Sequence, residues 1–156
     1  MATTTATITI ASSDLTSSAL SLSNTMTLTQ AGNETGILQT SGMVRTRLAA
    51  ANQVDLIASG AGQNYGTVTA DKSAKVYIRN TGTSTSQAVR IGIGNASTGA
   101  ATTAQVSNAA TYWELGRLYG GEWMLIPWAA TDDTSDITAF PTTSAEVYIE
   151  WMVFFE

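Results

Sequence analysis

Few residues of this chain are of a type that could do chemistry. Of its twelve acids, the candidates are three glutamates, Glu114, Glu122 and Glu150, and an acidic run with Asp132, Asp133 and Asp136. Two carboxylates about 5–9.5 Å apart can hydrolyse a glycoside, one as acid and the other as base or nucleophile. Nothing in the spacing pairs any two of these glutamates, and Glu122 follows Gly120-Gly121, a turn signal. The three aspartates could hold Ca²⁺, which takes oxygen ligands. Their spacing is not that of a helix-loop-helix calcium site, and a solvated turn is the expected role. Histidine and cysteine are absent, which removes the usual general base, the commonest metal ligand, thiolate chemistry and disulfides. Gly92, Gly94 and Gly99 lack the spacing of a dinucleotide loop, and no Gly-Lys-Ser/Thr follows a glycine run. No catalytic, cofactor-binding or metal residue is assigned. The chain is expected not to be an enzyme and to need no cofactor.

Aromatic residues gather late, at Tyr112, Trp113, Tyr119, Trp123, Trp128, Tyr148 and Trp151. Flat rings on a sheet could stack on sugars. Tryptophan in a sandwich core is the commoner arrangement.

The elements that would carry these residues read as strands. Ala6, Ile8 and Ile10 alternate with threonines, as do Met26 and Leu28. Val44, Thr46 and Leu48 alternate with Met43, Arg45 and Arg47. Val76 and Ile78 alternate with Lys75, Tyr77 and Arg79, and Val89, Ile91 and Ile93 with Arg90, Gly92 and Gly94. This period of two places one face on a core. Residues 54–57 and 66–70 read as two further short strands, and residues 14–22 as a short helix capped by Ser12, Ser13 or Asp14. Glycine and asparagine clusters punctuate the strands at the spacing of a sandwich or barrel. The expected fold is all-β: an antiparallel β-sandwich, jelly-roll-like, over residues 23–156, with residues 1–22 as an extended N-terminal arm or short cap.

Composition narrows the partners. Charged residues are 12% of the 156 and the net charge is −5, while Thr and Ser make about a quarter. Such a chain can bury a core without staples, and threonine suits a half-exposed strand. With so little charge, copies repel one another weakly, which favours a place in an assembly. An acidic chain is not expected to bind nucleic acid through a basic face. The start shows no signal-peptide pattern and no stretch approaches about 20 apolar residues, so synthesis in a cytosol and no membrane contact are expected.

The late strands are apolar on both faces. In residues 147–155, Val147, Ile149, Trp151, Val153 and Phe155 share one side, and Tyr148, Met152 and Phe154 share the other with Glu150. In residues 123–128, Met124, Ile126 and Trp128 share one side and Trp123 and Leu125 the other. Leaving a large apolar side chain exposed forfeits about 1.5–3 kcal/mol, so both faces of these strands should be covered. The core is assigned to Val147, Ile149, Trp151 and Val153 with Trp123 and Leu125. A subunit interface is assigned to Met124, Ile126, Trp128, Tyr148, Met152 and Phe154. The uncharged arm, through Ala6, Ile8 and Ile10, is expected to pair with another chain, because a free strand of this kind invites edge pairing.

Three segments, KVYIRNTGTSTSQAVRIGIG, WELGRLYGGEWMLIPW and TSAEVYIEWMVFFE, resemble a pattern of small β-sandwich proteins of tailed-phage particles. A strand ending in Asn precedes a second strand, a leucine-then-Gly-Glu turn enters an apolar strand with proline, and a glutamate-bearing strand closes the chain. The likeness covers residues 74–156. It implies a capsid decoration (cement) protein, a virion structural subunit that binds the major capsid protein and copies of itself, as a trimer or dimer, on the capsid surface. The alternative it leaves is a tail- or head-fibre domain that binds a receptor or glycan.

Overall fold

A computed structural model describes residues 3–13, 20–29, 39–49, 53–59, 74–94, 113–129, 135–142 and 146–155. These residues form strands and turns, with no helix among them. The strands are β1 (Thr3–Ser12), β2 (Leu20–Thr29), β3 (Gln39–Thr40), β4 (Val44–Leu48), β5 (Val54–Ile57), β6 (Ala74–Asn80), β7 (Val89–Ile93), β8 (Trp113–Leu118), β9 (Trp123–Trp128), β10 (Ile137–Pro141) and β11 (Val147–Phe155). All pairings are antiparallel.

Two sheets face each other. One runs β5-β10-β7-β8; the other runs β3-β11-β6-β9, with β4 also paired to β11. Their inward side chains merge into one core. Leu56, Ile57, Val89, Ile91, Leu118, Ile137 and Ala139 come from the first sheet. Leu48, Val76, Ile78, Trp128, Val147, Ile149, Trp151, Val153 and Phe155 come from the second. The expected all-β antiparallel sandwich is thus present. β11 carries the cleanest alternation, with every odd-numbered residue from Val147 to Phe155 buried. The core indoles are not left unpaired, as buried N–H groups require: Trp151 Nε1 donates to Thr46 Oγ1 at 3.0 Å and Trp128 Nε1 to the Ser135 carbonyl at 2.5 Å.

Asn80 ends β6 and is the polar knot of the core. Its side chain is fully buried. Nδ2 donates to the carbonyls of Gln87 at 2.6 Å and Leu118 at 3.0 Å, and Oδ1 accepts from Gly82 N–H at 2.9 Å. Its main chain binds the Gly120-Gly121 corner through Asn80 N–H to Glu122 O and Gly121 N–H to Asn80 O. That corner carries the chain from β8 in one sheet to β9 in the other, so one residue fixes the junction of both sheets.

Outside the sandwich, β1 and β2 form a two-stranded hairpin in register from Thr3↔Thr29 to Ser12↔Leu20. The strand partner of Ala6, Ile8 and Ile10 therefore lies in the same chain: they face Met26, Asn24 and Leu22. The boundary expected after residue 22 falls inside β2. Of the helix expected at 14–22, residues 20–22 are strand, because Leu20 and Leu22 continue the two-residue alternation of β2; residues 14–19 lie outside the described residues. The strand expected at 66–70 also lies outside them.

Candidate interaction surface

The second sheet has an outward face, and cross-strand register defines it. Lys75, Tyr77 and Arg79 of β6 stand opposite Phe154, Met152 and Glu150 of β11 on one side. On the other side they stand opposite Pro127, Leu125 and Trp123 of β9. Directly opposed residues share a face, so these side chains form one surface away from the core. Its middle is apolar: Tyr77, Leu125, Trp123, Met152 and Phe154. The rings of Tyr77 and Trp123 lie 6.0 Å apart. Trp123 is 49% exposed and Tyr148 38%, while Met152 and Phe154 are half-buried.

This placement corrects one face assignment. Met124, Ile126 and Trp128 point into the molecule, not toward a partner. Trp128 is buried, and Met124 and Ile126 pack on the core. Trp123 and Leu125, assigned to the core by sequence, lie outward. The reason is register: Ile78, Val76 and Ala74 of β6 face inward, and they oppose Met124, Ile126 and Trp128. The strand is apolar on both sides, so its own pattern does not distinguish them. Tyr148, Met152 and Phe154 lie on the outward face, and Val147, Ile149, Trp151 and Val153 on the inward one.

The N-terminal hairpin stands against this surface. An apolar cleft of about 210 Å³ is lined by Thr5, Ala6, Thr7 and Ile8 of β1 with Tyr77, Trp123, Leu125 and Phe154. A neighbouring cleft of about 160 Å³ is lined by Ala6, Ile8, Asn24, Met26 and Leu125. No residue lining either cleft is charged. Lys75 lies beside Phe154 on the same face, and burial lowers its ammonium pKa.

A polar cleft occupies the far end of the face. It has about 190 Å³ and is lined by Arg45, Thr81, Gly82, Thr83, Gln87, Glu146 and Tyr148. The Arg45 guanidinium lies 4.8 Å above the Tyr148 ring centre, a cation–π distance, and Arg47 pairs with Glu146 at the rim.

The three glutamates are engaged separately. Glu114 lies 3.7 Å from Arg90 and 3.7 Å from Arg117 on the outward side of the first sheet. Glu122 Oε2 accepts from Tyr119 N–H at 2.8 Å in the corner. Glu150 lies 4.0 Å from Arg79. Of the acidic run, Asp132 and Asp133 lie outside the described residues. Asp136 Oδ1 accepts from Ser59 N–H at 2.6 Å and Ser59 Oγ at 2.7 Å. Among the described residues no group of three or more acids is placed to hold a metal ion, and no helix is long and apolar enough to cross a membrane.

Neither a protein-family model nor a curated protein matches this chain.

Proposed function

We propose that the protein is a structural subunit of a virus particle: a decoration subunit that binds the outer surface of a tailed-phage capsid and clamps its neighbours. Its partners are the major capsid protein and copies of itself. The observation that carries this reading is the apolar outward face of the second sheet, Tyr77, Trp123, Leu125, Met152 and Phe154. It stands beside a hairpin whose Ile8, Ile10, Leu22 and Met26 are also exposed. Contiguous apolar surface of this kind marks an interaction site. Fully burying a large apolar side chain contributes about 1.5–3 kcal/mol, and these side chains, half-covered already, each have part of that left to gain from a partner. The low charge and the threonine-rich strands support the same reading. The test is co-purification with intact particles. A copy number in the hundreds is expected; a handful per particle places the protein in a tail, and absence from particles overturns the reading.

The polar cleft favours a second reading, a fibre domain that binds a glycan. Tyr148 supplies a ring, and Arg45, Gln87 and Glu146 supply polar groups around it. Titration with monosaccharides while observing the backbone amide signals around this cleft by NMR tests it. Amide shifts that saturate in the wild type and are lost in Tyr148→Ala support sugar binding; unchanged spectra at millimolar sugar exclude it.

A further inference from the structure

The polar cleft at the end of the outward face holds a positive charge that the fold leaves over. Four of the five arginines are ion-paired: Arg47 with Glu146, Arg79 with Glu150, and Arg90 and Arg117 with Glu114. Arg45 has no such partner among the described residues, although register sets it directly opposite Glu150. Its exposed guanidinium lies over the Tyr148 ring instead. At this end of the face three guanidiniums, Arg45, Arg47 and Arg79, therefore meet two carboxylates, Glu146 and Glu150. Both carboxylates are taken up by the other two arginines, and the charge left over is that of Arg45. The ring contact is electrostatic and consumes none of the five N–H donors of the guanidinium. Arg45 makes no hydrogen bond among the described residues, so that whole fork is open to a ligand.

Gln87 supplies a second donor. Its Oε1 accepts from Thr83 N–H at 3.0 Å and Ser84 N–H at 3.3 Å. Two N–H groups can be met only by the amide oxygen, which settles how this side chain is turned. The Nε2 donors are left with no partner among the described residues. The wall that carries them is tied down. Asn80 Nδ2 donates to Gln87 O at 2.6 Å, and Thr81 N–H and Oγ1 donate to Tyr148 O at 3.0 and 2.9 Å. A held wall lowers the ordering cost of binding.

We propose that this cleft binds a carboxylate-bearing sugar, a unit of the uronic-acid type, with its carboxylate on the Arg45 fork and a ring hydroxyl on the Gln87 amide.

The lining selects this class. Free donors face a shortage of free acceptors, since Glu146, the one carboxylate among the lining residues, is held by Arg47. An acceptor-only group answers that imbalance, and a planar carboxylate matches a guanidinium fork with two parallel hydrogen bonds. The Thr81 and Thr83 hydroxyls and the Tyr148 ring match the hydroxyls and C–H face of a sugar. The cleft has about 190 Å³, below the about 300–1,000 Å³ of drug-sized pockets, which suits one sugar unit.

This deepens the glycan reading of the same cleft and rests on it. Purified full-length protein is titrated with glucuronate, glucose, acetate and inorganic phosphate at constant ionic strength, with the Thr81, Gly82, Thr83 and Gln87 amides read by NMR. Glucuronate is expected to saturate at a Kd at least about tenfold below that of the other three. Arg45→Gln, at an exposed position, is expected to keep its melting transition and to bind glucuronate no better than glucose. Arg45→Lys keeps the charge without the fork and is expected to fall between. Unchanged glucuronate affinity in Arg45→Gln overturns the proposal; if that variant fails to fold, the ranking of the four probes on the wild type decides. If glucose binds as tightly as glucuronate, the glycan reading stands and the carboxylate assignment falls. If acetate or phosphate binds as tightly, the cleft is a plain anion site, and both fall. If none of the four shifts these amides at millimolar concentration, both fall as well.

Discussion

The side-chain amide of Asn80 donates to the Leu118 carbonyl at 3.0 Å and so joins the end of β6 to the end of β8 across the sandwich. The same amide reaches Gln87 O. Replacing Asn80 with Ala leaves the buried Leu118 carbonyl without this donor, while the Gln87 carbonyl and the Gly82 N–H, which are partly buried, lose theirs where water can reach. An unsatisfied buried group costs about 1–3 kcal/mol and a hydrogen bond exchanged for water about 0.5–1.5 kcal/mol, so Asn80→Ala is expected to lose about 2–4 kcal/mol by urea unfolding. A loss under half a kcal/mol would show that water replaces the amide.

Two glycines of one segment should respond in opposite ways. A Cβ on Gly120 would stand 2.6 Å from Ser84 O and 2.8 Å from Ser84 N, both main-chain atoms that cannot step aside. A Cβ on Gly116, in β8, meets nothing within 4 Å. Gly120→Ala is expected to cost about 1–3 kcal/mol through overpacking. Gly116→Ala is expected to be neutral or to stabilise by about 0.5–1 kcal/mol, by narrowing the unfolded ensemble. Paired thermal melts compare them.

Much of this architecture is written in local alternation. β6 and β7 each turn one apolar side inward, β4 turns Val44, Thr46 and Leu48 inward with Leu48 fully buried, and β11 buries the unbroken row from Val147 to Phe155 rather than the side that carries Glu150. The Gly120-Gly121 corner is announced by its glycines, and Gly121 has φ +89, where a Cβ would be strained. β10 is not legible, because Ile137–Pro141 is buried on both faces; a five-residue run with threonine, alanine and a terminal proline has no alternation to read. The faces of β9 are not legible either, since both are apolar and only its register with β6 orients it. The intrachain partner of β1 is hidden for a related reason: two threonine-alternating strands suit each other as well as they suit a neighbour.

Lys75 makes stability depend on pH in the alkaline range. Burial holds its pKa below the ordinary 10.5, so over the window from the lowered value to 10.5 the unfolded chain binds more protons than the folded one. Stability then rises with pH through this window, against any loss from other groups. Lys75→Met removes this contribution. The difference in unfolding free energy, variant minus wild type, is expected to shrink as pH rises from 8 to 10.5. A difference that stays constant would show that burial does not act on this ammonium.

The two faces of the second sheet give the sharpest separation of folding from association. Ile149 and Val153 are fully buried, and Ile126 packs against the same core. An unpaired charge at a fully buried site costs several kcal/mol against a total stability of about 5–15. Ile149→Lys and Val153→Glu are therefore expected to abolish the cooperative melt, and Ile126→Glu, at a partly buried site that faces the core, to lower it strongly. Trp123→Glu, Met152→Glu and Phe154→Glu place the charge on the outward face, where water reaches it. Trp123 forfeits the least, since it is already half in solvent; Met152 and Phe154 lose more, because each is partly covered. These three are expected to melt cooperatively, with Trp123→Glu closest to wild type, and to associate more weakly in light scattering. Ile126 against Trp123 is the decisive pair, because they lie in one strand and differ in the side they face. If Trp123→Glu unfolds the chain while Ile126→Glu does not, β9 sits with its other side inward and the register with β6 is wrong. If both unfold, the outward face is closed within the single copy, and the partner surface must be sought elsewhere on the molecule.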